Sequence, residues 1–235
     1  MGEAVIVYGK SGAGKTRSLK EFNEDEIFLI KATNKRLPFR KKFKYEMASN
    51  DVSKIKSVLT RMVARMPQLK TVVIDDATFI MIDEFMKRHS GDKKGSSSFD
   101  LYNDIADNIY TLFKFITEEL PDDVIVYVIM HEDTNDYGMT KISTIGKLLD
   151  EKVKVERMIN VCLRCIVENK DHIFVTQSNG NDISKSPEDM FPLKIPNDLK
   201  AVDTAIRKFY ELDAAETEQL STDNATTDED ERETA

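Results

Sequence analysis

The sequence predicts an α/β protein built on a mostly parallel sheet, and three features carry that prediction. Short apolar runs rich in β-branched residues (Val5–Tyr8, Ile27–Ala32, Thr71–Ile74, Val124–Met130) alternate with stretches whose apolar residues recur at helical spacing. Val124–Met130 is apolar at every position, the pattern of a strand covered on both faces. A glycine-rich loop joins the first run directly to the first predicted helix, as in a strand–loop–helix unit.

Val5–Tyr8 leads into Gly9-Lys10-Ser11-Gly12-Ala13-Gly14-Lys15-Thr16 and a polar helix over about Lys15–Asn23, followed by the strand Ile27–Ala32. From Lys31 to Tyr45 the chain carries seven Lys/Arg and no acid. Asn50-Asp51 can cap a helix with Val52, Ile55, Leu59, Met62 and Met66 on one face, ended by Pro67. The strand Thr71–Ile74 ends in Asp75-Asp76, and Phe79, Ile82, Phe85 and Met86 mark a helix stopping near His89. Ser90–Ser98 has the composition of a solvated, mobile loop. A long helix follows, with Phe99, Tyr102, Ile105, Ala106, Ile109, Phe113, Ile116 and Leu120 along one side. Pro121-Asp122-Asp123 turns the chain into Val124–Met130. Beyond His131, Glu132–Asp150 is polar, Met158–Val167 and His172–Gln177 read as a hairpin, and Met190–Asp198 with Pro192 and Pro196 reads as irregular. Leu199–Tyr210 is a last short helix, with Val202, Ile206 and Phe209 spaced to dock.

The chain has 235 residues, 40% of them hydrophobic, enough for one α/β domain over 1–210 with a sizeable core. The net charge of −8 is unevenly placed: from Glu211 onward ten acids face one base, which leaves 1–210 at about +1. Residues 211–235 lack aromatics and core periodicity and read as an acidic disordered tail. The apolar runs are too short to span a bilayer and no secretory signal opens the chain, so a membrane partner is not expected and a cytoplasmic site is. Two Cys exclude a disulfide scaffold. Cys162 and Cys165 form a C-x₂-C, but on a strand residues three apart face opposite sides, so they cannot share a metal.

Gly9–Thr16 matches G-x-x-x-x-G-K-[ST] in full. Glycines let successive N–H groups turn inward around phosphate oxygens. Lys15 places a charge on the β- and γ-phosphates, the Thr16 hydroxyl is a Mg²⁺ ligand, and the helix N-terminus adds its partial positive charge. Gly9, Lys10, Ser11, Gly12, Ala13, Gly14, Lys15, Thr16 and the following Arg17 are therefore the expected ATP-binding stretch. The partner acid for Mg²⁺ belongs at the end of a neighbouring buried strand, and Asp75 stands there about 60 residues downstream. Asp76 either orients the attacking water or caps the helix Ala77–His89. His131, ending the Val124–Met130 strand, is either a γ-phosphate sensor or an ordinary strand-end histidine.

Gly9–Thr16, Ile27–Arg40, Val72–Asp76, Asp83–Met86, Ile129–Asp133 and Thr144–Val153, in this order and spacing, resemble the phage RecA-like P-loop ATPases of the Sak-type single-strand annealing family. The resemblance covers about residues 3–210. It implies a RecA-type core with the P-loop strand central and an antiparallel hairpin closing the sheet. It also implies ATP hydrolysis coupled to single-stranded DNA, in annealing or strand exchange beside a single-strand binding protein, in the cytoplasm of an infected bacterial host. Two departures stand out. Lys31-Ala32-Thr33-Asn34 holds no acid where RecA places its catalytic Glu, which leaves Glu46, Asp83 and Glu132 as further candidates for the base. The chain also opens on its first core strand, so a ring or filament is expected to use surfaces of the core.

In the basic run, Lys31, Lys35, Arg36, Arg40, Lys41, Lys42 and Lys44 interleave with Phe39, Phe43 and Tyr45. Cations attract a phosphate backbone and aromatics can stack on bases; the alternative is a solvated surface whose aromatics pack inward. Lys93, Lys94 and Lys141 lie in loops that the resemblance places along a DNA path. Lys147 is the candidate for a cation offered across a subunit interface to a neighbour's γ-phosphate, with Arg157 and Arg164 behind it and a plain solvent-facing lysine as the alternative. Three other readings compete with the DNA-dependent ATPase: an AAA+ helicase loader or assembly ATPase, a small P-loop nucleotide kinase, and a non-enzymatic ATP-gated binding protein that hydrolyses negligibly. The kinase needs an Arg-rich lid, and residues 131–150 contain no Arg.

Overall fold

The first strand, β1 (Glu3–Gly9), is buried at every position after Glu3, and its place in the fold follows from that: it needs cover on both faces. The computed structural model describes residues 1–89 and 98–212. In chain order the remaining elements are β2 (Ile27–Lys31), β3 (Tyr45–Ala48), α1 (Val52–Arg65), β4 (Thr71–Asp75), α2 (Thr78–Arg88) and α3 (Ser98–Glu119). They continue with β5 (Ile125–Thr134), β6 (Thr140–Ile142), β7 (Val161–Glu168), β8 (Asp171–Val175), β9 (Lys194–Pro196) and α4 (Leu199–Phe209). The nine strands form one sheet in the order β3-β2-β4-β5-β1-β7-β8-β9, with β6 paired to β5. The pairings from β3 across to β7 are parallel, while β8, β9 and β6 run antiparallel to their neighbours. This is the mostly parallel sheet with a closing hairpin that the sequence predicts, and it is the fold of a P-loop NTPase.

Alternate residues of the parallel strands enter two separate cores. On one face Ile6, Tyr8, Ile30, Val72, Ile74 and Val128 meet the apolar sides of α1, α2 and α3. On the other, Val5, Val7, Leu29, Val73 and Tyr127 meet Leu19, Phe22, Phe43 and the Leu199, Val202 and Ile206 face of α4. Asp51 caps α1 by accepting from the Lys54 amide at 3.0 Å, and Asp198 caps α4 through the Lys200 and Ala201 amides. Asn169 and Lys170, both at positive φ, make the two-residue turn between β7 and β8. Cys162 and Cys165 fall in opposite cores, as strand alternation requires.

Several boundaries differ from the sequence reading. The element after the glycine loop is a 3₁₀ helix over Thr16–Glu21, shorter than the helix read to Asn23. Glu26 takes the Asn23 amide at 2.7 Å and its side chain at 2.6 Å, which turns the chain early into β2. β3 has no counterpart in the sequence pattern, because an edge strand with alternating exposure has no apolar run to signal it. β5 continues four residues past Met130 and pairs with β6, inside the stretch read only as polar. Pro196 ends the short edge strand β9, where a missing N–H is tolerated. Phe209 is 42% exposed, and the fourth buried position of α4 is Asp203, which accepts from Thr71, Tyr127 and Arg207. The loop containing Lys93 and Lys94 and most of the acidic tail lie outside the described residues.

Candidate nucleotide-binding site

Parallel strands present their C-terminal ends along one edge of the sheet, and the register gathers three of them here. Gly9 of β1 pairs with His131 of β5, and Ile74, one residue before Asp75, pairs with Val128. The sequence predicts Asp75 at the end of a strand neighbouring β1. The structure instead inserts β5 between β1 and β4, and this puts His131 between the glycine loop and the two aspartates.

The loop Gly9–Thr16 leaves β1 and closes over that edge. Gly14 has φ +103°, and a Cβ there would stand 2.6 Å from His172 Nδ1, so both the backbone and the close approach demand glycine. The loop is buttressed from behind by the C-terminal hairpin. Cys165 Sγ donates to the Ala13 carbonyl at 3.0 Å, and His172 Nδ1 lies 2.6 Å from the same oxygen. Asn197 donates to Cys165 Sγ at 3.2 Å and accepts from Arg17 at 3.3 Å. The Lys15 ammonium is buried and donates to the Gly9 and Lys10 carbonyls at 2.8 and 2.9 Å. Burial pulls its pKa down, a desolvation cost that an anion bound in the pocket would offset.

Thr16 Oγ1 donates to both carboxylate oxygens of Asp75, at 2.9 and 3.1 Å. Burial, followed by the charge of Asp76, raises the Asp75 carboxyl to about 6. Asp76 is shifted the other way, well below the usual carboxylate range, by a hydrogen bond from His131 and then by Lys35 and Thr33. Thr33 Oγ1 and Lys35 Nζ both donate to Asp76 Oδ2, at 3.0 and 2.9 Å, and His131 Nε2 lies 3.4 Å from Oδ1. Asp76 sits at φ +57° and does not cap α2, whose capping position is held by Ala77 with no side-chain hydrogen bond. The backbone of His131 is tied to α2 by its amide, which donates to Thr78 Oγ1 at 2.9 Å, and its ring Nδ1 lies 3.5 Å from Lys15 Nζ.

These groups line a cavity of about 340 Å³, walled on one side by the glycine loop and on the other by Thr33 and Lys35–Pro38. Ser11, Gly12, Gly14, Thr16 and Arg17 reach it directly, and Ala13 is buried beneath. Thr16 and Asp75 are hard oxygen donors on a common side, the set Mg²⁺ prefers. Among the described residues no group of three or more His, Cys, Asp or Glu could hold a metal by itself. A magnesium ion would therefore complete its shell with water and phosphate oxygens, its usual mode.

The remaining candidates are dispersed. Lys147 is exposed just before the π-helical turn Leu148–Val153, outside the cavity lining, and Arg157 is also exposed. Arg164 is engaged within its own chain, its fork on Glu132 at 2.9 and 3.1 Å. That pairing occupies Glu132 as well; Glu46 pairs with Lys31 and Asp83 accepts from Asn50. In the basic run, Arg36, Arg40 and Lys42 are exposed, while Lys41 donates to the Lys20 and Phe22 carbonyls. Lys141 pairs with Asp150. Phe43 is fully buried and Phe39 meets it edge-on at 6.5 Å, so the aromatics here pack inward. Thr33, Thr78, His172 and Asn197 escaped the sequence reading. Thr33 lay beside the basic run, and the other three act through contacts of long sequence separation.

A glycine loop with a buried lysine, a threonine facing a strand-end aspartate, and a second polar strand end between them define a P-loop nucleoside triphosphatase. A family model described as an AAA domain matches residues 1–195, and the chain belongs to that family: it is an AAA-type P-loop ATPase. No curated protein matched the chain.

Proposed function

We propose that the protein hydrolyses ATP with Mg²⁺ at this site and uses turnover on single-stranded DNA, in annealing or strand exchange during phage recombination. The observation that supports coupling is the segment after β2. Lys35 and Arg36 line the nucleotide cavity, while Arg40 and Lys42 on the same run face solvent with no acid among them. A phosphate backbone held by the outer cations would bear directly on the wall of the ATP pocket. The six sequence runs that resemble the Sak-type recombinases support the choice of substrate.

In this reading Lys15 leaves the Gly9 and Lys10 carbonyls for the β- and γ-phosphate oxygens, and the loop amides hold the rest of the triphosphate. Thr16 and Asp75 would hold Mg²⁺, which would supply charge withdrawal from those oxygens. Asp76 and His131 orient a water toward the γ-phosphorus. The water oxygen bonds to phosphorus as the bond to the bridging oxygen breaks. The bonding pair stays on ADP, and both water protons leave with inorganic phosphate as dihydrogen phosphate.

Self-assembly into a ring or filament belongs to the same reading, since Lys147 could meet a γ-phosphate only across an interface. An accessory single-strand binding protein would supply the DNA. The test is ATP turnover with and without single-stranded DNA of several lengths. Strong stimulation by long strands is expected; equal rates with and without DNA would leave an ATPase of another purpose.

A further inference from the structure

The ATPase reading needs positive charge on the γ-phosphate beyond that of Lys15, and Lys35 of the same subunit already stands in the pocket beside Asp76. Lys35 Nζ is 2.9 Å from Asp76 Oδ2 and 4.7 Å from the centroid of the Phe79 ring. Phe79 in turn meets the His131 ring edge-on at 6.1 Å. Lys15, His131, Asp76 and Lys35 thus form a continuous chain of contacts along the cavity. Of the other pocket cations, Lys31 pairs with Glu46 at 3.6 Å, Arg17 bonds Asn197, and Arg36 is exposed on the cavity wall without the contact to Asp76 that Lys35 makes.

We infer that Lys35 is a catalytic residue acting within its own subunit: with ATP bound, its ammonium passes from Asp76 to the γ-phosphate and balances the charge of the transition state. This rests on the ATPase reading above and adds a residue to it.

Three observations carry the move. The Lys35 side chain is 62% exposed, and an ion pair that wet holds weakly, so a bound triphosphate competes well for the ammonium. Asp76 stays oriented when Lys35 leaves, because Thr33 still donates to Oδ2 and His131 still faces Oδ1. The carboxylate so released is the one placed to hold the attacking water. Lys35 therefore occupies Asp76 in the empty pocket and serves the phosphate in the filled one. A lysine suits this exchange, since its ammonium is a compact charge on a long, rotatable stem.

The test compares ATP and ADP binding and turnover in the full-length wild type, Lys35→Ala and Lys35→Arg. If Lys35 meets the γ-phosphate, wild type prefers ATP over ADP, and Lys35→Ala loses about tenfold of that preference with ADP affinity unchanged. Turnover falls at every protein concentration, and Lys35→Arg keeps part of both. Mixing Lys35→Ala with Lys15→Ala subunits restores nothing, because both lesions lie in one pocket. Unchanged ATP preference in Lys35→Ala overturns the inference, and so does faster turnover, which would make Lys35 only a latch on Asp76. Recovery in the mixture would overturn its action within one subunit. A wild type that binds neither nucleotide overturns the ATPase reading itself and this inference with it.

Discussion

Asp76 and His131 stand 55 positions apart in the chain, yet His131 Nε2 lies 3.4 Å from Asp76 Oδ1. The contact exists because β5 is inserted between β1 and β4, so its polar end falls between the glycine loop and the two aspartates. It places a carboxylate and an imidazole against one small volume.

Replacing Asp76 by Asn keeps the shape but removes the charge that we propose aligns a water. Asp76→Asn is expected to bind ATP within a few-fold of wild type and to turn over about 100-fold more slowly. Equilibrium binding beside steady-state rates checks this. Turnover near wild type would move the water-orienting role to another group.

Glu3 gives a prediction about stability, far from the pocket. Its Oε1 is buried with no hydrogen-bond partner, and burial raises its carboxyl from 4.5 to about 7. At pH 4 the group is protonated folded or unfolded and costs nothing. As pH rises from 4.5 to 7 the unfolded chain ionises first, so stability falls, and the loss is complete above 7. Glu3→Gln, which mimics the protonated acid, is expected to match wild type in urea at pH 4 and to exceed it at pH 8. A gap that does not widen with pH would contradict the burial of this charge.

The shared-site reading of Lys147 predicts complementation between subunits. Lys147→Ala leaves its own pocket intact, while Lys15→Ala keeps Lys147 to offer. Mixing the two inactive variants is expected to restore part of the turnover, and wild-type turnover per subunit should rise with protein concentration. A silent mixture, with a rate independent of concentration, would leave a self-contained subunit.

Much of this was legible in the sequence because it is encoded locally. The apolar runs set β1, β2, β4 and β5, the 3.6-residue spacing set α1 and α3, and Gly9–Thr16 and Asp75 are positions in contiguous motifs. What escaped depends on partners distant in the chain. Strand order decides that His131 rather than β1 neighbours Asp75 and Asp76, and no local pattern states it. Lys35 looks like one basic surface residue among seven until the fold brings Asp76 to it. His172 looked like a hairpin residue, and only the return of β8 to β7 sets it against Ala13 and Gly14. Asp203 reads as polar helix surface, although Tyr127 and Arg207 bury it.

The central claim is that ATP is hydrolysed where Lys15, Thr16 and Asp75 converge. The most direct measurement is Mg²⁺-dependent phosphate release by wild type, Lys15→Ala and Asp75→Ala, each first shown by circular dichroism to be folded. The expected result is turnover in wild type that disappears on chelation, and loss of at least about 100-fold in both variants. Folded Lys15→Ala or Asp75→Ala protein releasing phosphate at the wild-type rate would place the chemistry elsewhere and contradict the account.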